Sequence, residues 1–257
     1  MSVDRRTDAE SSAETEQEPV EIKVFRYDPD VPEKAEPHYD RFEVPRARGM
    51  SVLDALIHAR DEIDPTLTFR HSCRQAICGS DAMMINGRHR LACKTQISDL
   101  SEPIQIEPLP HQNVEKDLVV DMERFYEQMD AVDPFFDPDD EPTDPLTEQR
   151  QSPANHEHIK MSTRCIWCGS CMSSCNIAAG DNQYIGPAAI NMAYRFLRDE
   201  REGEERAQER VEKIAEDHGV WRCQTQFSCT EVCPKEIPLT EHIQSLKREA
   251  HKRNLSL

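Results

Sequence analysis

The sequence lacks the apolar segments that a membrane span or a secretory signal requires. None of its 257 residues belongs to an apolar run of about 18 or more, which excludes a membrane-spanning helix. The N-terminus has no apolar core of the signal-peptide kind, and no apolar segment follows the Arg5-Arg6 pair to favour twin-arginine export. The sequence therefore predicts a chain that stays in the cytosol, where cysteines are kept reduced.

Basic residues are also few. The chain has 31 Lys and Arg against 49 Asp and Glu, a formal net charge of -18, and most of its basic residues are arginine. Because so acidic a chain repels polyanions, the charge disfavours nucleic acid as a partner, and none is expected. An acidic, lysine-poor surface is one way to stay soluble at high salt, so the composition also favours a halophilic source.

A glycine-rich strand-to-helix fingerprint is missing too, so nothing predicts a flavin or dinucleotide site. What the chain does have is 10 cysteines, nearly all in tight groups. In a reducing compartment such groups are typical of metal ligands or redox centres rather than disulfides.

The organisation indicated by the sequence is a tail, two domains and a connector. Residues 1–19 are acidic and poor in large apolar groups, which predicts a disordered tail. Two strands (21–27 and 39–45), a helix capped by Ser51, a cysteine loop with a short hairpin and a strand at 103–109 predict a small α+β domain over 20–120. An Asp- and Pro-rich connector (130–153) falls within the remaining 121–257. There, helices at about 187–201, 204–218 and from 240 predict a helical domain, with Pro187 in the first turn of the first helix and Gly219 at the end of the second.

The helical half carries two related cysteine runs. Cys165, Cys168, Cys171 and Cys175 are separated by two, two and three residues, the spacing of bacterial ferredoxins. The second run has the same spacing, from Cys223 through Cys229 to Cys233, but Gln226 stands where its second thiolate would be.

In ferredoxins the fourth cysteine of each run binds the cluster of the other run. Applied here, this rule predicts a [4Fe-4S] site with the ligands Cys165, Cys168, Cys171 and Cys233. It leaves a second site with Cys175, Cys223 and Cys229, and because an amide is a poor iron ligand, this site is predicted to hold [3Fe-4S]. Structural zinc is the alternative, although zinc does not need a triple run.

The first domain holds a third group. Cys73 and Cys78 begin the plant-type [2Fe-2S] spacing, but Asp81 occupies the place of the next cysteine. Histidine replaces cysteine in some [2Fe-2S] proteins, yet the spacing fits Asp81 better than His71 or His89, for which surface or hydrogen-bonding roles are predicted.

Together these motifs resemble the iron-sulfur subunits of succinate dehydrogenase and fumarate reductase. The likeness covers about residues 20 to 250 and includes "RHSCRQAICGSDAMMINGRHRLACKT", "CIWCGSCMSSC", "YIGPAAINMAYRFLRD" and "CTEVCPKEIP". Some members of that family also carry aspartate in place of the third cysteine of the first cluster.

The resemblance implies a β-grasp [2Fe-2S] ferredoxin-like domain followed by a helical domain with two crossed cluster motifs. It implies that Cys73, Cys78, Asp81 and Cys93 hold [2Fe-2S], and it repeats the other two ligand sets. It also implies a partner flavoprotein with FAD, which would oxidise succinate, and membrane anchor subunits with a quinone. The expected place is the cytoplasmic face of the cell membrane.

Several alternatives stay open. The family's quinone end often has Pro after the cysteine matching Cys175 and His after the one matching Cys223, whereas this chain has Asn176 and Gln224. Trp167 and Trp221 adjoin cluster ligands, and shielding a cluster from water is favoured over stacking on a quinone. The complex could run as a fumarate reductase, or the chain could be a free multi-cluster carrier or a zinc-stabilised interaction module.

Overall fold

The computed structural model describes residues 18–136 and 148–255. The predicted tail, 1–19, lies almost wholly outside the described residues, as does the stretch 137–147 of the predicted connector. Two hydrophobic cores lie on either side of residue 120, one built from residues 20–118 and the other from residues 125–246. The domain boundary at 120 itself stays a prediction.

The first core is covered by a five-stranded mixed sheet in the order β2-β1-β5-β3-β4. Its strands are β1 (Val20–Arg26), β2 (His38–Val44), β3 (Ala82–Ile85), β4 (Arg88–Leu91) and β5 (Ile104–Glu107), with a small separate pair of β6 (Val114–Lys116) and β7 (Val119–Val120). β1 pairs antiparallel with β2 and parallel with β5. Alternate residues of β1 are buried, as expected for a strand with one face on a core. The predicted strands and the predicted α+β class are confirmed.

Helix α1 (Val52–His58) closes this core and reaches the cysteine region. Ser51 caps it: its hydroxyl accepts a hydrogen bond from the Asp54 amide at 3.2 Å, while the Asp54 carboxylate accepts one from the Ser51 amide at 3.0 Å. The Leu53 amide donates to the carbonyl of Ala92 at 3.2 Å. The start of the helix therefore anchors the segment that carries Cys93.

The second core is helical. Its elements are α2 (Glu123–Asp130), α3 (Pro153–Ile159), α4 (Ser170–Ser173), α5 (Asn176–Gly180), α6 (Gly186–Leu197), α7 (Glu204–Ile214), α8 (Ser228–Glu231) and α9 (Leu239–Lys252). Pro187 lies in the first turn of α6, as predicted. α6 is buried along most of its length and packs against α7 and α9. The short helices α4 and α8 lie within the first and second cysteine runs and carry Cys171 and Cys229, so the core positions both runs.

Two predicted helix ends were wrong. α6 ends at Leu197 instead of about 201, because the buried Asp199 carboxylate accepts hydrogen bonds from the Arg201 guanidinium at 2.7 Å, which favours a loop. α7 ends at Ile214 instead of about 218. Gly219 was predicted to end that helix, but its φ is an ordinary -93°. It is required for another reason: a Cβ there would lie 2.0 Å from the Ile214 carbonyl oxygen.

Among the described residues, every helix is too short or too polar to cross a membrane.

Candidate iron-sulfur centres

The loop between α1 and β3 folds around the sulfur of Cys73. Arg74 and Ala76 have positive φ angles of 56° and 55°, which turns successive amides inward. The amides of Gln75, Ile77 and Cys78 each donate to the Cys73 sulfur at 3.3 Å. These bonds lower the pKa of Cys73 to about 7. Amide donors around the sulfur stabilise the thiolate, which is the form that binds iron, so Cys73 is suited to be a cluster ligand. Hydrogen bonds to sulfur also help to set the potential of a bound cluster.

Asp81 lies beside Cys93 and is almost fully buried. One carboxylate oxygen, Oδ2, accepts a hydrogen bond from the Cys93 amide at 2.6 Å. The other, Oδ1, is buried without a hydrogen-bond partner, and the residue is 2% exposed. A buried carboxylate oxygen without a partner is costly unless a cation satisfies it. The donor set of Cys73, Cys78, Asp81 and Cys93 therefore fits a cluster with one oxygen ligand.

The two cysteine runs of the second domain share one backbone shape. In the first run a 3-10 turn precedes Cys165, Trp167 and Gly169 have φ angles of 55° and 79°, and α4 follows. In the second, a 3-10 turn precedes Cys223, Thr225 and Phe227 have φ angles of 58° and 62°, and α8 follows. The second run therefore keeps the ferredoxin-like loop although Gln226 replaces its second cysteine.

The thiols of these runs line two separate cavities. One is lined by Cys165, Cys168, Cys171 and Cys233, with apolar walls that include Phe125 and Leu239. The other is lined by Cys175, Cys223 and Cys229 together with Gln226. The structure thus groups the thiols as the crossing rule predicts, with one thiol of each cavity coming from the other run.

Burial disfavours the thiolate form of several of these cysteines when no metal is bound. It raises the pKa of Cys165 to about 12 and raises the pKa of Cys168, Cys171 and Cys229 as well. A coordinated thiol is deprotonated, so loading these cavities releases protons. Within residues 18–136 and 148–255, no three or more His, Cys, Asp or Glu side chains are placed to hold a single metal ion. The thiols instead line cavities. This arrangement suits a cluster, whose metal ions lie at several corners and are each bound by a different thiol.

The cysteine loop of the first domain, which carries Cys73 and Cys78, directly contacts the first cysteine run of the second domain, which carries Cys165 and Cys168. The backbone of Gly79 is buried against Ile166 and Cys168. Nearby, the His89 ring lies 3.1 Å from the Ser173 hydroxyl, which donates to the Pro110 carbonyl at 2.8 Å. This contact is the hydrogen-bonding role expected for His89. His71 also forms one, at 3.2 Å from the Arg60 guanidinium.

Sequence reasoning missed several polar groups beside the sulfurs. The hydroxyls of Ser80 and Ser170 lie 3.2 and 3.5 Å from the sulfurs of Cys78 and Cys168. The repeated tripeptide Cys-Gly-Ser, at 78–80 and 168–170, was a signal for both. Lys247, which donates to the Cys223 carbonyl at 2.7 Å, had no such signal, because it comes from α9, far along the chain.

The two tryptophans differ in place. Trp167 lines the cavity of Cys165 and its partners, and it also lines a second cavity between the two domains beside Cys78. Trp221 packs against the second core, and its ring nitrogen is buried without a hydrogen-bond partner. The position of Trp167 suits the predicted shielding role.

Known families match both halves of the chain. A model described as a 2Fe-2S iron-sulfur cluster binding domain matches residues 21–127, and one described as a 4Fe-4S dicluster domain matches residues 161–237. The chain is 40% identical over 229 residues to a mitochondrial succinate dehydrogenase [ubiquinone] iron-sulfur subunit 1 of Oryza sativa, covering 88% of this chain and 80% of that one. It is 37% identical to a fumarate reductase iron-sulfur subunit of Haemophilus influenzae, covering 90% and 93%.

A solved structure agrees. A chain of the Mycobacterium smegmatis Sdh1 complex in the apo form superposes with a TM-score of 0.80 at 26% identity. The match covers 92% of this chain and 97% of that one.

Proposed function

This chain belongs to the family of iron-sulfur subunits of succinate dehydrogenase and fumarate reductase, and we propose that it carries electrons from a flavoprotein to a quinone through three clusters. As a member of this family it is the electron-transfer part of an oxidoreductase complex. Its first domain is of the [2Fe-2S] kind and its second of the [4Fe-4S] dicluster kind. The third cluster, [3Fe-4S], and the individual ligands belong to the proposal.

We assign Cys73, Cys78, Asp81 and Cys93 to [2Fe-2S]. [4Fe-4S] takes Cys165, Cys168, Cys171 and Cys233, and [3Fe-4S] takes Cys175, Cys223 and Cys229. The observation that carries the proposal is the separation of the second domain's thiols into two cavities, one with four thiols and one with three thiols and an amide. Four thiolates suit a complete cubane, whereas three suit a cubane that lacks one iron.

The clusters, when bound, supply sites that accept and release one electron at a time. The second domain would hold two of them in cavities with largely apolar walls, which would limit contact with water and help to set their potentials. Amide donors around Cys73 and hydroxyls near Cys78 and Cys168 tune the charge on sulfur. The dicarboxylate chemistry is assigned to the flavoprotein, because this sequence predicts no flavin or dicarboxylate site.

Gln226→Cys tests the three-iron assignment. The new thiol would stand where Cys168 stands in the other run, because the two loops share one backbone shape. We expect the paramagnetic signal of the oxidised three-iron cluster to disappear and iron to rise by about one atom per chain. Gln224→Cys, in the same loop but out of register, is the control. An unchanged oxidised signal in Gln226→Cys would contradict the assignment.

We propose succinate oxidation with quinone reduction as the working direction, in the citric acid cycle and respiratory chain. Fumarate reduction is the second candidate, and it is supported by the 37% identity to the Haemophilus influenzae fumarate reductase subunit, which is close to the 40% identity to the succinate dehydrogenase subunit. Measuring the three cluster potentials against that of the native quinone decides between them. Succinate oxidation requires a quinone whose reduction potential is higher than that of the fumarate/succinate couple.

The proposed partners are an FAD-containing flavoprotein and membrane anchor subunits with the quinone, and the proposed place is the cytoplasmic face of the cell membrane. Co-purification of the three kinds of subunit from solubilised membranes tests this assembly. Protease access from the cytoplasmic side only, in vesicles of known orientation, tests the face. Because Asn176 and Gln224 replace the family's common Pro and His, the quinone contacts of this chain are expected to differ from those of its relatives.

A further inference from the structure

Gly79 lies at a close contact between the loop that carries Cys73 and Cys78 and the loop that carries Cys165 and Cys168. It follows Cys78, and its backbone has a φ of 71°. A Cβ at this position would lie 2.8 Å from the Ile166 carbonyl oxygen and 2.9 Å from the Cys168 Cβ. Real Cβ atoms essentially never come this close to other atoms. The two loops can therefore touch in this way only because residue 79 has no side chain.

The atoms that oppose Gly79 cannot move aside independently. The Ile166 oxygen is backbone, and Cys168 belongs to the four-thiol cavity that Cys165, Cys171 and Cys233 also line. At two other glycines with positive φ, Gly169 and Gly186, a Cβ would meet the flexible end of a methionine side chain, which can shift cheaply. A side chain at residue 79 could be accommodated only by moving one whole cysteine loop away from the other.

We propose that Gly79 is a positioning residue. It sets the distance between the [2Fe-2S] and [4Fe-4S] clusters and so the rate at which one electron passes from the first of these to the second. This inference rests on the proposed function. One electron leaves the first cluster and enters the second, and no bond forms or breaks. The rate of such a transfer falls exponentially with the distance between cluster edges, so a small displacement of the loops has a large effect.

The test compares Gly79→Ala with Gly87→Ala in the whole anaerobically purified complex. Gly87 has a φ of 72°, nearly that of Gly79, but a Cβ there would meet nothing within 4 Å. Both substitutions therefore place an alanine at nearly the same positive φ, and only the one at residue 79 pushes the cluster loops apart. With both clusters reduced, the [4Fe-4S] spin should speed the relaxation of the [2Fe-2S] spin, and this magnetic coupling falls steeply with distance.

We expect Gly79→Ala to keep both cluster spectra but to lose part of this relaxation enhancement, and to slow electron arrival at the second cluster after rapid mixing with substrate. Gly87→Ala should match the unmodified protein in both measurements. Undiminished coupling in a Gly79→Ala protein that holds both clusters would overturn the proposal. Missing cluster spectra in the unmodified protein would instead count against the proposed function, so the two failures are distinguishable.

A second pair of variants covers poor assembly of Gly79→Ala. Asparagine tolerates positive φ better than alanine, so Gly79→Asn and Gly87→Asn place a Cβ at each position with less backbone strain. Weaker coupling in Gly79→Asn alone supports the proposal. If both Gly79 variants lose the [2Fe-2S] spectrum while both Gly87 variants keep it, the proposal is overturned, since Gly79 would then serve assembly of the first cluster rather than spacing.

Discussion

Asp81 is the residue at which the chain departs furthest from a plant-type cluster loop. Its buried Oδ1 has no hydrogen-bond partner, while Oδ2 is held by the Cys93 amide. The hydrogen bond to Oδ2 therefore fixes the orientation of the carboxylate, and Oδ1 is available to bind iron. An oxygen ligand is harder than sulfur and can be protonated, which changes the properties of the iron it binds.

Replacing Asp81 is expected to change the resonance spectrum of the reduced [2Fe-2S] cluster. Asp81→Cys should keep the cluster with an altered spectrum or potential, and Asp81→Ala should weaken or lose it, because one iron loses a protein ligand. Asp81→Asn is the matched control, since its amide oxygen can still accept from the Cys93 amide but carries no charge. Identical spectra from the unmodified, Cys and Ala proteins would show that Asp81 does not bind iron.

His242 makes stability depend on pH. It is 6% exposed, stacks on Tyr194 with ring centroids 4.0 Å apart, and places Nδ1 2.8 Å from the side-chain oxygen of Asn191. Burial lowers its pKa to about 4. An unfolded histidine has a pKa of about 6.5, so between these values the unfolded chain binds a proton that the folded chain does not.

Stability should therefore be complete above about pH 6.5 and fall as the pH drops towards 4, with a loss on the order of 3 kcal/mol from this residue. Denaturant unfolding at several pH values measures it. The stability of His242→Gln should depend less on pH than that of the unmodified chain. Equal pH dependence in His242→Gln and the unmodified chain would contradict this account.

At the scale of elements, the sequence predicts a segment well where one local signal dominates. Ser51 as an N-cap predicts the start of α1, and Asn86-Gly87 predicts the hairpin between β3 and β4, because each depends on a few neighbouring residues. The ends of α6 and α7 were missed because turns follow both helices, and the buried Asp199–Arg201 hydrogen bonds that favour the first turn leave no periodic signal in the sequence. The cysteine spacing predicted which thiols share a cavity, since cluster geometry constrains spacing directly, but no pattern could reveal that Gly79 touches Cys168 across domains.

Gly219 makes a close local contact with the end of α7, and its replacement should be severe. Gly219→Ala would place a Cβ 2.0 Å from the backbone oxygen that ends α7. We expect a loss of about 3 kcal/mol or more in unfolding free energy, because backbone must move in a packed region. Gly180→Ala, at the end of α5 with nothing within 4 Å of its Cβ, should change stability by less than about 1 kcal/mol. Equal thermal midpoints for the two variants would contradict this prediction.

The whole molecule carries a formal charge of -18, and this charge opposes compactness. Salt screens repulsion between exposed charges over about 10 Å at 0.1 M. The thermal midpoint should therefore rise with potassium chloride. Sucrose at matched osmolarity is the control, because it favours the compact state without screening charge. A midpoint that does not respond to potassium chloride would count against the predicted halophilic source.

The central claim is that one chain holds three different clusters in a fixed series. A stepwise reductive titration of the anaerobically purified complex, followed by electron resonance with iron, sulfide and zinc analysis, tests it most directly. The account predicts a three-iron signal in the oxidised protein, then [2Fe-2S] and [4Fe-4S] signals on reduction, and no stoichiometric zinc. A colourless protein with bound zinc, or an oxidised protein without the three-iron signal, would contradict it.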